Sequence, residues 1–153
     1  MCSSDLGATW WFGGKGGKVY AFDLERNALV WTSSVGAEVD DDRFGLTPHG
    51  IVVIGANHAL TSLDRRSGEV RAVRQLPSGT TKEAKLRVVG SRLSVWTRLR
   101  EGKDKPRDVL SVHAADSLTL LYDYAPSGVI TGFAGMDGQT AVVEPEGDVV
   151  LLR

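Results

Sequence analysis

Lys15 and Lys18 stand among four glycines in the segment Gly13–Lys18, a composition that could surround a phosphate group. A phosphate-binding loop requires a glycine where Phe12 stands, a serine or threonine where Val19 stands, and a helix after it. The sequence does not meet these requirements. We therefore interpret the segment as a flexible hairpin between two strands.

Three consecutive carboxylates, Asp40, Asp41 and Asp42, are of a residue type that binds divalent cations. Calcium loops place their ligands at alternating positions and end on a distal glutamate, and this segment has neither feature. We predict that these residues form a solvated connection between two structural units. A weak divalent-ion site is the alternative interpretation.

The three histidines, His49, His58 and His113, are each isolated in the sequence and have no partner at metal-ligand spacing. The chain contains no Gly-x-Ser-x-Gly elbow and no recognisable Ser-His-Asp set. The sequence thus assigns no catalytic, cofactor-binding or metal-binding residue. Its sole cysteine, Cys2, cannot form a disulfide within the chain.

Positive charge is concentrated in one part of a nearly neutral chain. The net charge of the whole chain is -1, which gives no general attraction to nucleic acid or anionic membranes. The segment 82–108 nevertheless carries nine basic and four acidic residues, a net charge of +5. Either this segment is a solvated hairpin tip, or a partner docks there. The candidate contact residues are Arg98, Arg100, Lys103, Lys105 and Arg107. Reversing the first four charges is then expected to weaken partner binding without unfolding the protein.

The elements that must position these residues are short strands. Nearly every short run rich in Val, Ile, Leu, Thr, Trp or Tyr is closed by Gly, Pro, Asn or Asp, which is typical of antiparallel sheets. No window sustains the period of an amphipathic helix, so we predict no helix. Adjacent strand residues face opposite sides of a sheet, so Trp10 and Trp11 are expected to pack against two different neighbours.

One motif recurs along the chain. Val19–Asp23 is followed by Asn27, and Leu60–Asp64 is followed by Gly68 at the same offset. A looser third copy is Ser111–Asp116. A strand–turn–strand unit that returns in this way indicates an array whose units cannot bury their apolar faces alone.

The repeated residues have structural roles in this interpretation. Asp23, Asp64 and Asp116 are predicted to end the third strand of each unit, where a carboxylate accepts hydrogen bonds from turn amides. Asn27 and Gly68 are predicted to supply the positive φ that the following turn needs.

The strands group into four units, over residues 8–34, 44–76, 86–124 and 130–153. These units contain three, four, four and three predicted strands, so that one strand is missing at each end. The sequence therefore predicts an all-β fold, a partial β-propeller of about three and a half four-stranded antiparallel blades over residues 7–153. Residues 1–6 fit no repeat and resemble a translated sequencing adapter, so we expect them to be non-native.

Blade topology predicts one loop-rich face. In an up-and-down sheet, the loop between the second and third strands emerges at the same end as the connection between blades. The Gly13–Gly17 loop, His58, the Asp40–Asp42 run and the insertion Leu99–Arg107 should therefore share a face. Loops of this kind commonly bind ligands. A partner would therefore dock on this face if the basic segment has a binding role, and the alternative is that the segment is a solvated hairpin tip.

The pattern of a short glycine turn, Val19–Asp23, Asn27 and the sequence Leu29–Trp31 resembles the pyrroloquinoline-quinone-like (PQQ-like) propeller repeat. The resemblance covers nearly the whole chain after residue 7 and is sharpest in the first two units. It implies that Trp31 packs between neighbouring blades. Trp31 is matched by Ala72 and roughly by Tyr122, so the tryptophan docking motif of quinoprotein dehydrogenases is not maintained.

The resemblance also implies a function. It suggests a non-catalytic scaffold that binds a protein partner or surface ligand within a larger bacterial propeller, as in the propeller subunit of the outer-membrane barrel-assembly machinery. The alternative is a fragment of a PQQ-dependent alcohol or sugar dehydrogenase, which would use the quinone and calcium. A periplasmic, extracellular or cell-surface location follows from the same resemblance. No apolar run reaches the length of a membrane span.

Overall fold

The computed structural model describes residues 2–3, 9–55, 58–77, 83–100, 105–126, 128–136, 139–144 and 146–152. Within these ranges the chain forms four antiparallel sheets, each built from consecutive strands. The first sheet contains β1 (Cys2–Ser3), β2 (Thr9–Gly14), β3 (Lys18–Asp23) and β4 (Ala28–Ser34). The second contains β5 (Phe44–Leu46), β6 (Ile51–Ile54), β7 (Ala59–Leu63) and β8 (Val70–Gln75). The third contains β9 (Ala84–Val89), β10 (Arg92–Leu99), β11 (Arg107–Ala114) and β12 (Leu120–Tyr124). The fourth contains β13 (Gly132–Met136), β14 (Gln139–Val143) and β15 (Val149–Leu152).

The predicted all-β, partial-propeller architecture is confirmed, and the row of sheets is open rather than closed. Two details differ from the prediction. The first sheet has four strands instead of three, because Cys2 and Ser3 pair with Trp11 and Trp10. A 3₁₀ turn, Asp41–Arg43, also forms in the connection where no helical element was predicted.

The core consists of three apolar layers, one between each pair of neighbouring sheets. Trp11 and Val19 of the first sheet pack against Ile51 and Val53 of the second. The opposite face of the second sheet packs against the third, and the third packs against the fourth through Trp96 and other residues. Each sheet thus buries its apolar faces only against its neighbours, as expected of a repeat array.

Trp31 lies in the first of these layers, as the resemblance implies. Its indole nitrogen donates a hydrogen bond of 3.1 Å to the carbonyl oxygen of Arg65, in the turn that follows β7. The indole nitrogen of Trp11 donates to the same oxygen at 3.2 Å. A Cβ at Gly68 would lie 2.5 Å from the Trp31 ring, and the φ of Gly68 is 73°. Glycine at position 68 therefore allows the second sheet's turn to pack closely on the tryptophan.

A β-bulge recurs between the third and fourth strands of the first three sheets. The bulges follow Ala21, Ser62 and Val112, and in each the outer strand carries one extra residue. Aligning the bulges defines equivalent positions in the sheets. Trp10, Ile51 and Leu93 correspond, as do Phe12, Val53 and Val95, and as do Gly13, Ile54 and Trp96.

This alignment corrects the third copy of the sequence motif. Ala114, not Asp116, occupies the position of Asp64. The amide of Leu118 donates to the Ala114 carbonyl at 3.0 Å, just as the amide of Gly68 donates to the Asp64 carbonyl at 2.9 Å. Asp116 lies two residues further on, inside the turn, where its carboxylate accepts a hydrogen bond from the next amide.

The carboxylates of Asp23 and Asp64 organise their turns. Each accepts hydrogen bonds from two backbone amides, those two and three residues later in the chain. The amide hydrogen bond from Ser67 is the main reason why the pKa of Asp64 is lowered to about 2. Asn27, which follows Asp23, adopts a φ of 49°. These residues therefore fix turn geometry.

His113 of the third sheet corresponds to Leu63 of the second, because each is the first residue after the bulge. It is paired with Leu93 and lies on the face of the third sheet that packs against the second. Its side chain is 2% exposed. The Nδ1 atom lies 3.1 Å from the Leu118 carbonyl, which can only accept, so Nδ1 carries the proton and Nε2 accepts from the Ser111 hydroxyl at 2.9 Å. Burial lowers the pKa of His113 from its ordinary value of 6.5, and the positive charge of Arg74 acts in the same direction.

This lowered pKa predicts a dependence of stability on pH. As the pH falls through 6.5, the unfolded chain binds a proton at His113 more readily than the folded chain does. The free energy of unfolding should therefore fall as pH is lowered from about 7 to 5, at most by about 1.4 kcal/mol per pH unit from this residue. His113→Leu, which introduces the leucine found at position 63, should reduce that slope. Urea unfolding of both proteins across this range tests the prediction; equal slopes would contradict it.

Candidate functional site

Some of the loops that the sequence predicts to share a face lie together, whereas residues 101–104 of the insertion Leu99–Arg107 lie outside the described part of the chain. The amide of Val35, in the connection between the first and second sheets, donates to the Gly17 carbonyl at 2.7 Å. His58 lines a depression at the same connection together with Glu38, Asp40 and Arg43. The β2–β3 loop, His58 and Asp40 therefore lie together around one connection between sheets.

A second depression, a cleft of about 390 Å³, lies at the junction of the third and fourth sheets. It combines basic and aromatic side chains, contributed by β9, β10, β13 and the connection that precedes β13. The residues that define its chemistry are Lys85, Arg87, Trp96, Arg98, Ile130 and Phe133. We refer to these six residues as the basic–aromatic cleft.

Arg98 lines the cleft, and the carboxylate of Asp108 holds its guanidinium in place. Its Nε atom lies 2.9 Å from Oδ1 of Asp108 and its Nη2 atom 3.2 Å from Oδ2, while Nη1 donates to Glu83 at 2.9 Å. Asp108 is fully buried, and its Oδ2 also accepts a hydrogen bond of 2.7 Å from the amide of Ile130. Hydrogen bonding to Asp108 is the main cause that raises the pKa of Arg98. Arg98 and Asp108 therefore link the third sheet to the connection that precedes the fourth.

Lys85 and Arg87 form the exposed part of the cleft. Their side chains are 47% and 44% exposed, and both approach the carboxylate of Asp42, at 3.3 Å and 2.8 Å. The hydrogen bond from Arg87 is the main reason why the pKa of Asp42 is lowered. The guanidinium of Arg87 also lies 5.9 Å from the centre of the Phe133 ring. Two cations thus stand at the cleft opening beside an aromatic ring.

Trp96 supplies a buried aromatic surface. Only 6% of the residue is exposed, and the guanidinium of Arg98 lies 4.9 Å from the centre of its ring, a cation–π arrangement. Within the described part of the chain, its indole nitrogen has no hydrogen-bond partner. The equivalent positions are Gly13 and Ile54, so this tryptophan is specific to the third sheet.

No protein-family model matches the chain, and no curated protein matches it in sequence. Solved structures do match. The structure of BamB from Moraxella catarrhalis aligns with 97% of this chain and 50% of its own, at 16% identity and a TM-score of 0.63. A europium-containing methanol dehydrogenase aligns with 80% of this chain and 24% of its own, at 16% identity and a TM-score of 0.62. A quinohemoprotein alcohol dehydrogenase from Comamonas testosteroni aligns with 77% of this chain and 19% of its own, at 14% identity and a TM-score of 0.56. The chain has the fold of a partial PQQ-like β-propeller. This PQQ-like propeller therefore spans about half the length of the BamB structure and a quarter or less of the dehydrogenases.

The remaining candidate residues of the propeller are dispersed. Asp40 pairs with Arg43 at 3.8 Å, and the Lys105 side chain is exposed. Arg100 and Arg107 both interact with other groups. Lys103 and the side chain of Asp41 lie outside the described residues. The structure thus places Arg98 in the basic–aromatic cleft and pairs Asp42 with two residues of that cleft. His58 and Asp40 lie at a different junction between sheets.

A calcium-bound quinone would need a set of oxygen and nitrogen ligands in the propeller. Among the described residues, no three His, Cys, Asp or Glu side chains are grouped so that they could hold a metal ion. The described helical elements include none long and apolar enough to cross a membrane.

Proposed function

We propose that this PQQ-like propeller is a non-catalytic scaffold, part of a larger exported or surface protein, that binds a protein partner at the basic–aromatic cleft. The observation that carries the proposal is the position of Lys85 and Arg87 beside Phe133 at the cleft opening, with Trp96 below. Arginine and aromatic side chains in partly enclosed positions carry much of the binding energy in protein interfaces. The 97% alignment with BamB also supports a scaffold.

The cleft favours a partner segment that presents a carboxylate. Lys85 and Arg87 are paired with Asp42 at the surface, and surface ion pairs contribute little to stability. A carboxylate from a partner can therefore replace Asp42 at small cost. Arg98 is excluded from this exchange because its guanidinium is already engaged by buried Asp108.

The double variant Lys85→Glu/Arg87→Glu tests the proposed site. It should weaken partner binding by about tenfold or more, because it places two negative charges opposite the partner carboxylate. Arg26→Glu/Arg66→Glu, at the turns on the opposite end of the sheets, is a control with the same change in net charge. The measurement is quantitative mass spectrometry of envelope proteins retained by each purified bait. Equal retention of every protein by the two variants would contradict the proposed site.

The alternative function is that of a fragment of a PQQ-dependent dehydrogenase. The alignment of 80% of this chain with the methanol dehydrogenase supports it. It requires PQQ and calcium as cofactors. Purified protein incubated with both and assayed by dye reduction with alcohols or sugars separates the two functions. We expect no reduction above the protein-free rate; a substrate-dependent rate would overturn the scaffold proposal.

A further inference from the structure

Lys85 and Arg87 hold a single carboxylate between them at the opening of the basic–aromatic cleft. Nη2 of Arg87 lies 2.8 Å from Oδ1 of Asp42, and Nζ of Lys85 lies 3.3 Å from Oδ2. Each oxygen of this carboxylate is therefore bound by a different cation. Asp42 belongs to the connection between the first and second sheets, and its side chain is 41% exposed. The two cations can thus bind a carboxylate that comes from outside their own sheet, and they do so through both of its oxygens.

The pairing of β9 with β10 places an aromatic ring beside this carboxylate position. Lys85 is directly opposite Trp96 across the two strands, and Arg87 is opposite Ser94. Residues that are paired in this way project from the same face of a sheet, with Cβ atoms about 4.5–5.5 Å apart. Phe133 of the fourth sheet lies on the other side of Arg87. A group attached directly to the bound carboxylate can therefore reach both aromatic side chains.

One wall of the cleft is apolar and contains a buried donor. Ile130 is 6% exposed and packs with Trp96 and Phe133 in the layer between the third and fourth sheets. The cleft volume of about 390 Å³ falls within the range of pockets that enclose small ligands. Among the described residues, none accepts a hydrogen bond from the buried indole nitrogen of Trp96. A buried donor without an acceptor is costly, so a ligand that brings an acceptor into the cleft is favoured.

An aspartate or glutamate inside a partner chain does not supply this combination of groups. Its carboxylate ends the side chain, so the apolar group must come from a neighbouring residue. The backbone that joins the two would enter the cleft and lose its hydrogen bonds to water. The last residue of a chain instead carries its carboxylate and its side chain on the same Cα. It can place both groups in the cleft without a continuing backbone.

We propose that the basic–aromatic cleft binds the free C-terminal carboxylate of a partner chain whose last residue has a large apolar side chain. The carboxylate replaces that of Asp42 on the two cations, and the side chain lies against Trp96 and Phe133. C-terminal carboxylates are a recurring target of peptide-binding sites. This inference rests on the proposed function and specifies which part of the partner enters the cleft.

The experiment is isothermal titration calorimetry of the purified 153-residue chain with the N-acetylated peptide Gly-Ser-Gly-Ser-Gly-Leu. The peptide with a free C-terminus should bind with a dissociation constant below about 1 mM. Amidation of the C-terminus removes the charge and should weaken binding at least about tenfold. Replacement of the last leucine by glycine should weaken it by a similar factor, because the apolar contact is lost. An amidated peptide with an internal Asp-Leu pair should bind no better than the amidated parent.

Variants of the protein test the exchange of carboxylates. Asp42→Asn removes the charge of the competing side chain and should tighten binding of the free-acid peptide by about two- to fivefold. A residue that only supports the shape of the cleft would not tighten binding when it is changed. Lys85→Gln/Arg87→Gln should abolish the preference for the free acid over the amide. Arg26→Gln/Arg66→Gln, at the opposite end of the sheets, is the matched control and should keep that preference.

Equal binding of the free acid and the amide, or no binding of either up to about 1 mM, would overturn the C-terminal assignment. Tighter binding of the peptide with the internal aspartate would overturn it as well. A preference for the free acid that survives Lys85→Gln/Arg87→Gln would place the carboxylate elsewhere. None of these results contradicts partner binding at the cleft, which the retention experiment with Lys85→Glu/Arg87→Glu decides separately.

Discussion

Replacement of Trp31 by alanine is expected to lower the free energy of unfolding by about 3–5 kcal/mol. The side chain is 9% exposed and belongs to the apolar layer between the first and second sheets. Truncation removes that packing and the hydrogen bond to the Arg65 carbonyl. It also leaves a cavity against Gly68, whose backbone cannot fill the space.

Two further variants separate the contributions to this effect. Trp31→Phe keeps an aromatic ring but loses the indole hydrogen bond, so it should cost less than the alanine change. Val73→Ala, at an exposed position on β8, is the control and should change stability little. Urea unfolding followed by circular dichroism provides the free energies. An unchanged unfolding midpoint for Trp31→Ala would show that Trp31 does not hold the two sheets together.

Removal of the Arg98 side chain is the second change with a large expected effect. Arg98→Ala leaves the fully buried Asp108 carboxylate without its cationic partner, and a loss of this kind typically costs about 3–5 kcal/mol. Lys105→Ala removes an exposed cation of the same segment and should have little effect. Unfolding in urea again provides the measurement.

The double variant Arg98→Ala/Asp108→Ala adds a stricter test. If the two side chains stabilise the protein as a pair, the double variant should lose clearly less stability than the sum of the two single losses. Additive losses would contradict the pairing. Arg98 should be left out of the charge reversal that the sequence suggests for the basic segment. Reversing its charge would lower stability, and that loss could not be separated from a loss of partner binding.

The strands could be predicted because their signals are local. Alternating apolar residues bounded by turn residues identify a strand without knowledge of its neighbours, and β3 (Lys18–Asp23) contains the whole repeated motif Val19–Asp23. The third repeat could not be placed correctly in this way. Its turn contains Leu118 at a φ of 57°. Ala114, which ends the strand before this turn, stands where the second sheet has Asp64. Only the aligned bulges show the correspondence, and they are properties of strand pairing.

The candidate site was predictable only as a region of charge. The sequence shows that the segment around Lys85, Arg87 and Arg98 is basic, but not which cations are already engaged. Arg98 meets Asp108 across the β10–β11 hairpin. Arg87 of the third sheet meets Asp42 in the connection between the first and second sheets. Trp96 belongs to the cleft because of how the third sheet stacks on the fourth. That stacking is not encoded in local spacing.

The four tryptophans lie at different places in the row of sheets, so intrinsic tryptophan fluorescence can be used to follow how the sheets separate. Trp11 and Trp31 lie between the first and second sheets, Trp96 lies between the third and fourth, and Trp10 is partly exposed on the first sheet. Indole emission shifts with the polarity around the ring, so the intrinsic fluorescence of this protein reports separation of sheets from one another. The junction between the second and third sheets holds none of the four tryptophans. One tryptophan introduced there would give every junction of the row its own signal.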